Sequence, residues 1–375
     1  MKNRLVIDQK PLMSILSSMQ PICTKRTTLD ATSYVLFQVG HKELVLKSTD
    51  LEISLQASYL FHESDIQEPY SFLVSGRRIF ELVKELEGAI TFTISKTQLK
   101  LNAGTAHLSL NIKEAQEFPP FPERIENLMH IDAGFFLQML AKVAFLIPQN
   151  NASPALNGLY LELTPENMKM TTTDGHCLAQ VSTAKYTLDH EQKWLLPRRA
   201  IFEVKKILEG VQSESALFLG TCGNQLVFSG ESFNFFTKLL ADPFPQYNAI
   251  LDKQGFMPAK VDRSHFMKTL RRSSCLLSGQ FIATQFGFHK GAVSVAMDNK
   301  EVGNLKEEVP LELFDGESLD VRFYAPYLLS GLQAFAEDKV AFHLKSQSKP
   351  IIFESDDADK HIIYLVMPVS PTVAQ

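Results

Sequence analysis

The sequence predicts an α+β chain built from three copies of one unit, each with two helices packed on antiparallel sheet. Three observations predict this. Residues 75–88, SGRRIFELVKELEG, recur as LPRRAIFEVKKILEG over 196–210, and a shift of 122 brings Arg77 onto Arg199, Lys84 onto Lys206 and Glu87-Gly88 onto Glu209-Gly210. A strand ending in Asp occurs as LVLKSTD to Asp50, MKMTTTD to Asp174 and VSVAMD to Asp298, in two steps of 124. An Asp-led apolar pattern opens at Ile7-Asp8, Ile131-Asp132 and Val261-Asp262, in steps of 124 and 130. Repeats of this length are domain-sized and too long for a solenoid. The 375 residues therefore divide into 1–127, 128–255 and 256–375.

Taken in order, each copy opens with a helix. Asp8, Asp132 and Asp262 suit its N-cap, where a carboxylate accepts an orphan backbone N–H. The apolar pattern carries on to Ile15-Leu16, Met139-Leu140 and Thr269-Leu270. Short strands follow. In the first copy they include 34–39, 43–47, 90–95, 99–103 and 107–112, many alternating apolar with polar as in sheet with one wet face. The second helix is clearest in the middle copy. Pro197 suits its first turn, where a missing N–H costs nothing, and Gly210 ends it. Ile201, Val204 and Leu208 share one apolar face. Arg199 and Lys206, seven apart, lie one above the other two turns on. The third copy keeps this helix in degenerate form over 324–335. A Phe-Pro pair follows a strand at Phe121-Pro122 and again at Phe244-Pro245.

Hydrophobic residues make up 45% of the chain and charged residues 21%, as in ordinary globular protein. No apolar run approaches a membrane span, and MKNRLVIDQKPLM lacks the core of a signal peptide. Cys23, Cys177, Cys222 and Cys275 lie far apart without CxxC spacing. That argues against zinc and for a cytoplasmic protein with reduced thiols. No metal or cofactor is expected. The net charge is −5, yet cations concentrate in helices: Arg77, Arg78 and Lys84; Arg198, Arg199, Lys205 and Lys206; Lys268, Arg271 and Arg272. One such helix alone reads as a solvated face. Repetition at matching positions favours a basic surface that holds DNA weakly, through phosphates and with strong salt dependence.

The segment TTTDGHCLAQVS over 171–182 resembles the TDGH-x-LA signature of the bacterial DNA polymerase III beta subunits, the sliding clamps. The likeness runs the length of the chain, through STDLE at 48–52, LNG at 156–158, LPRRAIFEVKKIL, TKLLADPFPQY at 237–247 and YLVMP at 364–368. The resemblance implies three DNA-clamp domains and a head-to-tail homodimer closing into a ring, with helices lining the hole and sheet outside. It implies a non-catalytic accessory subunit of a polymerase holoenzyme that encircles duplex DNA without sequence preference and is opened by a clamp loader. Carried over residue by residue, it implies DNA contacts at Arg26, Arg77, Lys84, Arg198 and Arg199, with Lys142, Lys206, Lys268, Arg271 and Arg272 beside them. Leu108 and Leu110, on an edge strand, and Leu276-Leu277 match residues that pack across the dimer interface; the bland alternative is ordinary core. Pairing strand edges there would also remove exposed edges.

In the same family a groove between the second and third domains takes a short QLxLF-like peptide from polymerases and other partners. The matching residues are Leu156, Thr173, Gly175, His176, Leu178, Pro245, Ile250, Pro350, Leu365, Met367 and Pro368, an apolar wall with a glycine turn and one polar edge. Ser153 and Pro154, Cys177, and Asn248 and Ala249 stand where the family often has arginine, so a less basic pocket is expected. The chain also continues past Met367-Pro368 to Ser370 and a short tail. Three other readings compete. Asp174 and His176 as an acid/base pair, with Cys177 as nucleophile, would suit an enzyme, but no Ser/His/Asp set, metal cluster or P-loop supports it. An open DNA-binding module is opposed by the acidic net charge and the lack of a groove-reading motif. A specialised or repair-associated clamp would keep the fold and change the job.

Overall fold

The computed structural model describes residues 3–25, 27–61, 65–277, 282–357 and 359–369. Six α-helices lie among them: α1 (Gln9–Cys23), α2 (Gly76–Lys84), α3 (Ala133–Val143), α4 (Arg198–Glu209), α5 (Arg263–Ser274) and α6 (Ala325–Leu332). They form two per copy, as the repeat predicts. Leu12, Leu16, Met19 and Ile22 bury one stripe of α1, and Ile79 and Val83 do the same for α2. Asp262 caps α5 by accepting the His265 N–H at 2.7 Å. Asp8, expected to do likewise, makes no side-chain bond to α1. Pro197 is the last residue of the strand Gln192–Pro197 rather than the first of α4, because its extended backbone still pairs with Gly158.

The described strands form two twelve-stranded sheets. The first runs from the edge strand Asn3–Asp8 to the edge strand Glu126–Asp132, and the second from Gln192–Pro197 to Leu319–Phe323. Each sheet crosses a copy boundary by antiparallel pairing. In the first, Ile53–Leu60 pairs with Phe233–Lys238; in the second, Cys177–Thr183 pairs with Lys360–Val366. The middle copy thus gives half its strands to each sheet. The chain accordingly forms two compact units, Met1–Phe136 with Phe202–Leu239, and Leu137–Ile201 with Leu240–Gln375. Within the first, α1 and α2 pack together and α1 lies against the sheet; within the second, α5 and α6 pack together.

The repeat extends to single hydrogen bonds. Asp174 Oδ1 accepts the N–H of His176 at 2.8 Å and of Cys177 at 2.7 Å. Asp50 Oδ1 accepts those of Glu52 at 3.0 Å and Ile53 at 2.8 Å. The first copy makes this turn with Leu51 at φ 73°, where the middle copy has Gly175 at φ 94°.

Leu108 and Leu110 lie on an open sheet edge, although their strand is not the terminal one in the strand order. Their strand, Ala106–Glu114, pairs with Gln98–Ala103 across 106–111 and with Tyr70–Ser75 only at Ile112, Lys113 and Glu114. Among the described pairings, 106–111 therefore has one open side. The strand Gly303–Glu312 repeats this arrangement: it pairs with Ala292–Asn299 through Pro310 and with Met257–Asp262 only at Leu311 and Glu312.

Candidate functional site: an apolar groove and a set of basic helices

The groove is built on the turn Asp174-Gly175-His176, all within the second compact unit. Gly175 holds a positive φ that side chains disfavour. Thr173 Oγ1 accepts the Gly175 N–H at 3.2 Å and donates to the Cys177 carbonyl at 2.5 Å. The Met367 N–H then donates to the His176 carbonyl at 2.9 Å, extending the strand ladder past Val366. This brings Met367 beside the turn although 191 residues separate it from His176.

Leu178 and Leu365 lie directly opposite in the ladder. Both are buried, in an apolar cluster with Ala155, Leu195, Phe244, Tyr247 and Ile352, against which Ile250 and Met367 pack half-buried. Leu156 is half-buried, with its Cδ1 3.8 Å from where a Cβ on Gly175 would sit. Pro350 is buried, Pro368 half-buried and Pro245 exposed. The exposed His176 ring stacks on Tyr327 of α6, with centroids 5.8 Å apart and planes 18° apart. Tyr364 Oη donates to the Tyr327 carbonyl at 2.8 Å, which fixes that end of α6. The sequence reading missed Tyr327, because α6 keeps too little of the repeat to align it. It also missed the Tyr160–Phe244 stack at 4.8 Å, for which the repeated Phe-Pro pair was the available signal.

The cations divide into outward and inward groups. Arg77 and Arg78 are 70% and 67% exposed, and both reach Glu81, at 2.7 and 3.4 Å. That hydrogen bond raises Arg77 above, and lowers Glu81 below, their ordinary pKa values. Lys84, Lys268 and Arg271 are exposed. Arg272 is exposed and binds Glu307, Nε to Oε2 at 2.9 Å. Lys206 is exposed and donates to the Ser17 carbonyl at 2.9 Å. Pro21, four residues on in α1, has no N–H to give that carbonyl, so Lys206 takes the place of the missing helical donor.

Arg198 and Arg199 are half-buried, and the Arg198 guanidinium donates to the Ile147 carbonyl. Lys142, with its side chain 18% exposed, donates to the Ala334 carbonyl at 2.6 Å. Sequence spacing cannot tell such inward ties from outward charges. Arg26 lies outside the described residues. Leu276 and Leu277 follow α5, both half-buried.

Asp174, His176 and Cys177 are arranged as a structural turn. Cys177 is buried, and burial together with nearby Asp174 raises its pKa, which disfavours the thiolate. Asp174 spends its Oδ1 on two backbone N–H groups. Among the described residues no cluster of His, Cys, Asp and Glu could hold a metal ion, and no helix is long and apolar enough to cross a membrane.

A threefold α+β repeat, sheets continuous across the repeats and helices with outward cations define a class, the DNA clamps. Comparison with known proteins agrees. Residues 3–122 match the DNA polymerase III beta subunit N-terminal domain, 130–246 its central domain and 250–370 its C-terminal domain. The beta sliding clamp of Pseudomonas aeruginosa is 27% identical over 368 residues, covering 97% of this chain and 98% of that one. That of Staphylococcus aureus is 22% identical over 353 residues, covering 92% and 93%. Among solved structures, a P. aeruginosa sliding clamp bound to griselimycin superposes with a TM-score of 0.90 at 24% identity, covering 99% of this chain and 100% of that one. The beta subunit of Thermotoga maritima gives 0.88 at 19%, with the same coverage. The chain belongs to the DNA polymerase III beta subunit family, and its function is that of a DNA sliding clamp.

Proposed function

We propose that two copies close head to tail into a ring around duplex DNA, and that the groove around His176 and Met367 tethers the replicative polymerase through QLxLF-like peptides. The domains are 1–127, 128–255 and 256–375. The cations of α2, α4 and α5 face the hole and meet phosphates, Arg77, Lys84, Lys206, Lys268 and Arg271 most directly. The ring closes by pairing the open side of 106–111 with that of 303–310 from the other copy, bringing Leu108 and Leu110 against Leu276 and Leu277. A clamp loader opens it, since the sequence carries no P-loop of its own. The chain is a non-catalytic cytoplasmic subunit.

The observation that carries this reading is the exposed pair Lys84 of α2 and Lys206 of α4, at matching positions of the repeat, in a chain of net charge −5. Weak phosphate contact holds nothing by affinity and suits a protein retained by topology. Light scattering at low micromolar protein and physiological salt tests ring closure. A dimer near twice 42.2 kDa is expected. A monomer that persists as the concentration rises would contradict it.

A further inference from the structure

The segment from Phe244 to Phe256 passes along the apolar groove and is tied at both ends. At one end the Phe244 ring stacks on Tyr160, and the Tyr247 hydroxyl donates to the Glu162 carboxylate, both on the strand Gly158–Leu163. At the other, Lys253 Nζ donates to Glu354 Oε2 at 2.5 Å, and His343 Nε2 meets Glu354 Oε1 at 2.5 Å. Lys345 Nζ donates to the Gln254 carbonyl at 2.8 Å and sits over the Phe256 ring. Gly255, at φ 74°, lets the chain turn beneath Lys345; a Cβ there would meet Nζ at 3.3 Å.

Between the ties, Ile250 and Leu251 pack half-buried on the cluster that holds Leu178 and Leu365. The described backbone–backbone bonds within this stretch are local: Ile250 N–H to the Tyr247 carbonyl, Leu251 to Asn248 and Phe256 to Lys253. No sheet ladder fixes it among the described residues, so its position depends on the side chains at its ends. Glu354 is 19% exposed and serves two donors at once. A shielded, charge-assisted pair of bonds is screened less than a surface ion pair.

We infer that Lys253, Glu354 and His343 form a positioning site for the peptide groove: they hold the wall supplied by Ile250 and set affinity for an apolar peptide without touching it. The inference rests on the groove reading above. Releasing the tie leaves the wall in place for only part of the time, and apparent affinity falls by that fraction.

The test uses the full chain, a fluorescently labelled QLxLF peptide and anisotropy titration well below the melting temperature of every variant. Lys253→Ala and Glu354→Ala are each expected to raise the Kd about fivefold, as for a wall in place roughly a fifth of the time. Lys253→Arg keeps the tie and is expected to bind like the parent, a rescue that a general loss of stability would not give. Lys253 is the more exposed partner, so its variants remain informative if Glu354→Ala folds poorly. Met367→Ala serves as the direct groove control. Parent-like Kd values for Lys253→Ala and Glu354→Ala, with binding weakened in Met367→Ala, would overturn the positioning role and leave the groove standing. Parent-like binding in all three would overturn the groove itself, and the inference with it.

Discussion

At Gly175 the backbone carries the constraint, not the surrounding space. A Cβ there would lie 3.8 Å from Leu156 Cδ1, ordinary contact, but at φ 94° it would sit in a conformation that side chains avoid. Gly175→Ala is expected to cost about 1–2 kcal/mol in chemical denaturation. Met367→Ala truncates a half-buried groove wall and is expected to weaken peptide binding about tenfold, as for a typical interface anchor; unchanged affinity in a titration would remove Met367 from the site.

Glu354 adds a pH signature. The hydrogen bond from His343, with that from Lys253, outweighs burial and lowers its pKa from 4.5 to about 2. A carboxylate lowered on folding stabilises fully above its unfolded pKa and loses that contribution as pH falls through the folded one. The stability gap between the parent and Glu354→Gln should therefore hold down to about pH 4.5 and close toward about pH 2. A gap constant across that window, by denaturation at each pH, would contradict the assignment.

Much of the groove was legible in sequence, because TTTDGHCLA and YLVMP are contiguous strings. Tyr327 was not, since ring stacking between α6 and the turn leaves no spacing to read.

The helices show what an element's sequence can and cannot specify. The spacing of Ile79 and Val83, or of Ile201, Val204 and Leu208, identifies the buried face of α2 and α4. Which cations then point outward depends on neighbours the pattern does not contain. Arg198 and Lys206 both lie on α4, yet Arg198 is half-buried and binds the Ile147 carbonyl while Lys206 is exposed. Arg198→Ala is expected to lower stability by about 1–2 kcal/mol by leaving that carbonyl short of a donor. Arg77→Ala, on an exposed face, should leave the melting temperature unchanged.

Reversing charge on both helices, Arg77→Glu with Arg199→Glu, should weaken loading and processive synthesis while circular dichroism stays parent-like. Unchanged processivity at physiological salt would contradict the lumen assignment. The first-copy strands 34–39, 43–47, 90–95, 99–103 and 107–112 each fall on an observed strand. The edge at Leu108 and Leu110 was expected only from the family resemblance, and the open side of 303–310 was not legible, because both come from partner strands pairing over only part of their length.

At the scale of the whole chain, the sequence shows three copies and the structure two compact units. Both descriptions follow from the middle copy, whose strands continue one sheet on each side. A period near 125 residues is visible in sequence; a sheet that ignores the period is not, because strand pairing across copies is a tertiary choice. Leu108→Asp with Leu110→Asp would place carboxylates beside the open side of 106–111. It should shift the light-scattering mass toward a single 42.2 kDa chain without unfolding it.

The central claim is topological retention, and DNA ends test it most directly. Protein loaded onto singly nicked circular DNA should stay bound through gel filtration at physiological salt and leave when a restriction enzyme linearises the circle. Equal loss from circular and linear DNA would mean that the chain holds DNA by affinity, and the clamp account would fail.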